Sequence, residues 1–256
     1  MKSFCFTVDD NIRFLKEINE AGYESIFEHP YLRMYKRLHE RFDLKVQLNL
    51  FYRLGDFTLS DISARYSEQW SESSDWLKLS FHSDFENVNP YELSGYGEVF
   101  RDCGKVNSEI CRFASPSSLA RTTTVHYCLT TKQGARALFD NGVIGLLGLY
   151  GTEEKPHTSY SVETESADKI RSGNIVKVEG ISHAAIDVVL NCFSNEENIS
   201  RLAALTDREF IKVMIHEQYF YSDYKWYQPD FEEKLCAAFE FLTSRGYKSA
   251  FFEELI

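Results

Sequence analysis

Two adjacent aspartates close an apolar run, Phe4-Cys5-Phe6-Thr7-Val8-Asp9-Asp10, near the start of this 256-residue chain. Histidines close two further runs, Leu77-Lys78-Leu79-Ser80-Phe81-His82 and Lys212-Val213-Met214-Ile215-His216, the second followed at once by Glu217. Each run reads as a β-strand that stops on an acid or an imidazole, and strand ends carrying such groups are where α/β enzymes assemble metal and acid–base sites. Paired carboxylates are hard to account for as packing, because a charge buried without a partner costs several kcal/mol. One carboxylate of the pair can hold a cation while the other takes a proton from water. Asp10 can equally cap a helix opening at Asn11.

Other candidates are weaker. Glu86 follows His82 by four residues, which would put both on one face of a helical turn, although Asp84 and Glu86 also suit a solvated acidic loop. His126 ends the β-branched run Thr122-Thr123-Thr124-Val125, where a histidine is more commonly a hydrogen-bonded core residue. After Glu217 comes an aromatic loop, Tyr219-Phe220-Tyr221-Ser222-Asp223-Tyr224-Lys225-Trp226-Tyr227, suited to stacking on sugar rings or to packing as a lid.

The elements that must position these groups alternate. Strands are expected at 3–9, 46–52, 76–81, 122–128, 143–150, 210–215 and 249–252, with short pieces of strand or helix at 175–178 and 186–190. Helices are expected from Asn11 to Gly22, and over 31–41, 64–71, 106–114, 131–141, 195–205 and 231–245. A polar stretch over 151–172, with Pro156 and His157, reads as a surface excursion or hairpin. Strand–helix alternation along the whole chain predicts an α/β fold with a mostly parallel sheet, closed or nearly closed into a barrel, in a single domain.

A net charge of −11 and the absence of any Lys/Arg-rich run argue against a nucleic-acid partner. No stretch approaches the roughly 18–20 apolar residues of a membrane span. Six cysteines without framework spacing, and an N-terminus that enters a strand directly, lead to the expectation of a reduced, cytoplasmic protein. His29, His39, His157 and His183 are assigned to surface or core duties.

Taken in order, the clusters resemble the NodB-like polysaccharide deacetylases. Thr7-Val8-Asp9-Asp10 is similar to that family's opening Thr-Phe-Asp-Asp, and Gln47-Leu48-Asn49-Leu50-Phe51 to its second strand. His82-Ser83-Asp84-Phe85-Glu86 resembles its His-Ser/Thr-x-x-His motif, with glutamate in place of the second histidine. Val213-Met214-Ile215-His216 looks like its late Leu-x-Leu-His, and Phe231 through Leu255 like its closing helix and strand. The family's arginine motif is not recognisable, and Val125-His126-Tyr127 stands in its place.

The resemblance implies a distorted (β/α) barrel and a metal-dependent hydrolase that removes an acyl group from a small acylated saccharide. It implies Asp9 as general base, Asp10 and His82 as metal ligands and His216 as general acid. His126 is then the third ligand or a substrate contact, with Glu86 competing for the ligand position, and Glu217 and Tyr219 are further candidates for metal or substrate. Such a set suits Zn²⁺, with Co²⁺, Ni²⁺ or Mn²⁺ as alternatives. Two other readings stay open: a saccharide-binding barrel without turnover, and a glycosidase that uses paired carboxylates.

Overall fold

The computed structural model describes residues 2–86, 91–151 and 159–256. The first half of the chain runs β1 (Ser3–Asn11), α1 (Arg13–Ala21), α2 (Pro30–Phe42), β2 (Val46–Phe51), the small hairpin β3 (Arg53–Leu54) and β4 (Phe57–Thr58), α3 (Ser67–Glu72), β5 (Leu77–Ser83) and α4 (Tyr96–Phe113). There follow β6 (Thr122–Thr123), α5 (Lys132–Asp140), β7 (Gly145–Gly148), α6 (Thr164–Arg171), β8 (Val176–Val178) and β9 (Ile181–Ala185). The chain finishes with β10 (Val188–Val189), α7 (Asn195–Ala203), β11 (Phe210–His216), α8 (Phe231–Ser244) and β12 (Lys248–Ser249).

One parallel sheet has the order β10-β11-β1-β2-β5, with β12 also beside β1. A second, β6-β7-β9-β8, is parallel except for its β8–β9 pair. Backbone hydrogen bonds join the sheets at two seams. Ala120 N–H donates to the Leu79 carbonyl at one, while Ile186 and Asp187 donate to Gly148 and Lys212 at the other. The result is a distorted, mostly parallel (β/α) barrel.

Strand alternation decides what the barrel encloses. Phe4 and Phe6 pack on Phe239 of α8, with ring centroids 5.7 and 4.9 Å apart, so Phe4, Phe6 and Val8 face the helices. Cys5, Thr7 and Asp9 therefore point to the other side, into the barrel. There the neighbours are polar. Gln47 Nε2 donates to Asn49 Oδ1 (2.8 Å) and to the Thr122 carbonyl (2.9 Å), and Ser80 Oγ donates to Asn49 Oδ1 (2.5 Å). A satisfied polar network in a dry interior fixes side-chain orientation more firmly than apolar packing. The strands also crowd closely: a Cβ on Gly145 would lie 2.8 Å from Thr122 and Phe252.

The expected strand over 122–128 is only Thr122–Thr123. Tyr127 and Cys128 adopt left-handed backbone (φ 60° and 56°), and Val125 N–H donates to the Tyr160 hydroxyl instead of to a strand. His126 thus stands on a turn. The helix expected at 106–114 begins at Tyr96, α1 begins at Arg13 rather than Asn11, and β9 has no counterpart in the sequence reading. The excursion at 151–172 contains α6, and its residues 152–158, with His157, lie outside the described residues. Among the described residues no helix is long and apolar enough to cross a membrane.

His183 is buried, with Nδ1 2.9 Å from the Tyr150 hydroxyl. Burial lowers its pKa to about 4 from an ordinary 6.5. The native state then refuses a proton that the unfolded chain accepts, so this residue's contribution is full above pH 6.5 and is lost as pH falls toward 4. The loss amounts to about 3 kcal/mol. Urea midpoints at pH 7 and pH 4.5 are expected to differ less for His183→Gln than for the wild type; equal differences would contradict this.

Candidate metal centre

Asp9 and Asp10 reach the same region because the strand breaks its alternation between them. Asp10 has left-handed backbone (φ 63°), and the β1–β2 register shifts between Val8 and Asn11. Aspartate tolerates this conformation better than a bulky or β-branched residue does. The helix-cap alternative for Asp10 is not what forms. The N-terminus of α1 is capped by Glu217, whose Oε2 accepts from Ile12 N–H (2.7 Å) and Arg13 N–H (3.1 Å) and whose Oε1 accepts from Phe14 N–H (2.8 Å). Asp10 is left free for other partners.

Those partners are two histidines. His82 Nε2 is 3.1 Å and His126 Nδ1 is 3.3 Å from Asp10 Oδ1, and the two ring nitrogens are 3.2 Å apart. All three residues are buried, and together they form a group that could hold a metal ion. The Thr124 carbonyl accepts from His82 Nδ1–H, which orients the ring with Nε2 toward Asp10. His126 Nε2 has no partner among the described residues. Phe51 covers both rings, at centroid distances of 5.2 and 5.0 Å.

This donor set fits a divalent first-row cation. A carboxylate oxygen and two imidazole nitrogens converge on one point. Zn²⁺ held at about 2.0–2.1 Å sets its donors roughly 3.4 Å apart in a tetrahedron and about 3.0 Å in an octahedron. The separations here, 3.1–3.3 Å, fall in that interval.

Around the trio the electrostatics are divided. Burial would raise the Asp10 carboxyl, but hydrogen bonds with His126 and His82 outweigh it and hold the group well below the usual carboxylate range. Asp9 goes the other way: burial raises its carboxyl against the pull of His82 and His216. Its Oδ1 accepts from Asn49 Nδ2 at 2.6 Å, which ties it to the barrel's polar network. Burial opposes a charge on His82, yet Asp9 and Asp10 together raise its pKa. His216 lies opposite Asp9 in the β1–β11 register. Its Nδ1 bonds Asn191 Oδ1 at 2.9 Å; because an amide oxygen only accepts, the proton is on Nδ1 and the ring is fixed in orientation.

The remaining candidates lie outside the trio. Glu86 is exposed and outside the trio, because β5 stays extended through Ser83 and a four-residue spacing there does not bring two side chains to one face. Glu217, offered as a metal or substrate group, is committed to α1 and to the Tyr221 hydroxyl at 2.8 Å, and burial pushes its carboxyl up to about 7. Removing it leaves three backbone N–H groups without an acceptor. Glu217→Ala is expected to cost about 2–4 kcal/mol in urea unfolding, and a loss under 1 kcal/mol would refute that assignment. The Tyr219 ring lies 6.1 Å from His216. A cleft of about 620 Å³ reaches Asp10 and is walled in part by Phe51, Phe85, Tyr221 and Tyr224. Asn49, Asn191 and Thr124, which orient Asp9, His216 and His82, were not singled out for those duties in the sequence.

No protein-family model and no curated protein matches this sequence. Solved structures do. A 4-alpha-glucanotransferase from Thermococcus litoralis aligns with 99% of the chain at 14% identity and a TM-score of 0.65, and the chain spans 40% of its length. A family 4 acetyl xylan esterase from Clostridium thermocellum, in complex with a cobalt ion, aligns with 99% of the chain and 90% of its own at 13% identity, TM-score 0.51. T48 deacetylase, solved with substrate, is similar over 99% of this chain and 90% of its own at 8% identity, TM-score 0.54. At these identities the likeness shows the fold alone: a distorted (β/α) barrel of the kind found in the glucanotransferase, the acetyl xylan esterase and the deacetylase.

Proposed function

We propose that this protein is a metal-dependent hydrolase that removes an acyl group, in the first instance acetyl, from an amino sugar or related saccharide. The observation that carries the reading is the convergence of Asp10, His82 and His126 beside Asp9 and His216. Asp10 Oδ1, His82 Nε2 and His126 Nδ1 would hold the ion, Zn²⁺ or a neighbour such as Co²⁺. A bound divalent cation supplies Lewis acidity, polarising an acyl carbonyl and lowering the pKa of water.

The protein's own groups do the rest. Asp9, oriented by Asn49 and with its carboxyl raised by burial, takes a proton from the attacking water. His216 has Nδ1–H pinned on Asn191, which leaves Nε2 to deliver a proton to the departing nitrogen or oxygen. Phe51 shields the histidine rings from solvent and keeps the local dielectric low. The cobalt-bound acetyl xylan esterase and the deacetylase among the structural neighbours support this assignment. A glycosidase would need two cleft carboxylates on opposite sides of a bond. Asp10 is hydrogen-bonded to two imidazoles, which favours the metal reading over that one.

The test is acetate release from a panel of N- and O-acetylated saccharides by protein stripped with chelator and reloaded with Zn²⁺, Co²⁺, Ni²⁺ or Mn²⁺. Release that disappears on stripping and returns on reloading is expected. Release indifferent to chelator would overturn the proposal.

A further inference from the structure

Asp9 and Asp10 occupy a β-bulge. In the β1–β2 ladder Val8 pairs with Leu48 and Asn11 with Leu50, so the two aspartates face the single residue Asn49. An extra residue bends its strand and re-aims a side chain. Here it turns Asp10, in left-handed backbone, toward His82 and His126. Such backbone persists only where its surroundings over-determine it.

Asn11 supplies much of that constraint. Its side chain is buried, and Nδ2 donates to the Val8 carbonyl at 2.6 Å and to the Asn49 carbonyl at 3.2 Å. One amide thus spans the bulge, bonding the residue before it on β1 and the residue opposite it on β2. Asn49 is a fixed post, because its side chain holds Asp9 and accepts from Gln47 and Ser80. The Tyr31 hydroxyl of α2 donates to Asn11 Oδ1 at 2.8 Å, which keeps Nδ2 turned to the two carbonyls. Beyond Asn11 the chain is gripped again by Glu217, whose carboxylate takes the Ile12 N–H at 2.7 Å. Asp10 sits between two anchored points.

We infer that Asn11 is a positioning residue for the candidate metal centre: its amide locks the bulge that brings Asp10 Oδ1 to the two imidazoles. This rests on the metal reading of the trio and not on acyl release. The experiment is titration of the chelator-stripped full chain with Co²⁺, followed by the visible absorption of the bound ion. It compares the wild type with Asn11→Ala, Tyr31→Phe and Leu202→Ala. Leu202 is buried in α7, which packs on α8 and β10, so its truncation destabilises the fold at another place.

Asn11→Ala should weaken Co²⁺ binding roughly tenfold, as expected for a residue that orients a metal ligand. Tyr31→Phe removes one oxygen atom and should weaken binding about threefold, the worth of one neutral hydrogen bond. Leu202→Ala should stay within about twofold of the wild type, as a distant and independent site. Wild-type affinity in Asn11→Ala overturns the inference, and so does a loss that Leu202→Ala reproduces. Should Asn11→Ala fail to fold, the same criterion is applied to Tyr31→Phe. A wild type that binds no Co²⁺ removes the metal reading and this inference together. Co²⁺ binding that depends on Asn11, without acyl release, would sink the deacylase reading and leave the inference standing.

Discussion

Asp10→Ala is expected to weaken Zn²⁺ binding by at least about a hundredfold, since even residues that only orient metal ligands are worth 10–100-fold. Acyl release should fall to background. The substitution removes the one carboxylate oxygen that sits 3.1 and 3.3 Å from the two histidine nitrogens. A readout independent of activity is thermal unfolding: a ligand at a hundred times its Kd adds about 2.7 kcal/mol to the wild type. The variant should show no such gain at the same Zn²⁺ concentration. His82→Ala should behave alike, whereas Glu86→Gln should bind Zn²⁺ as the wild type does, because Glu86 is outside the trio. If Asp10→Ala keeps wild-type affinity, the metal centre is misassigned.

The second large effect is expected at His216 and Asp9, and it has the opposite signature. His216→Gln and Asp9→Asn should each lower kcat by about 10²–10⁴-fold, the range for loss of a general acid or base. Zn²⁺ affinity should stay within a few-fold of the wild type, because neither residue belongs to the donor trio. Separate Zn²⁺ titrations and saturating-substrate kinetics distinguish the two classes of variant. Were His216→Gln to retain full kcat, proton delivery to the leaving group would have to come from elsewhere.

Parts of this site were legible because they are local. Asp9-Asp10 and His82 advertise themselves by ending apolar runs, and a polar side chain there must find a partner or a function. His126 was reached for an imperfect reason: a strand was expected to carry it, but left-handed Tyr127 and Cys128 turn the chain at that point. Nothing in a tyrosine–cysteine pair announces such backbone. Glu86 lines the cleft with Asp10 but lies outside the trio, because a four-residue spacing means proximity only on a helix and the chain is extended through Ser83.

The cap that Glu217 provides was illegible for another reason. Its partners, the N–H groups of Ile12, Arg13 and Phe14, lie some two hundred positions away in the sequence, so no local pattern marks a cap. The barrel's polar interior did leave a trace. Gln47 and Asn49 alternate with Leu48 and Leu50 in a strand buried on both faces, and polar groups in such a strand must be paired. Which residues pair with them depends on barrel closure, and that lies beyond any single segment.

The most direct measurement is anomalous scattering at the zinc edge from crystals grown with Zn²⁺. One ion is expected at coordinating distance, about 2.0–2.2 Å, from Asp10 Oδ1, His82 Nε2 and His126 Nδ1, with Asp9 and His216 flanking it. A crystal in which that position carries no anomalous peak, or in which zinc binds only at other residues, would contradict the assignment.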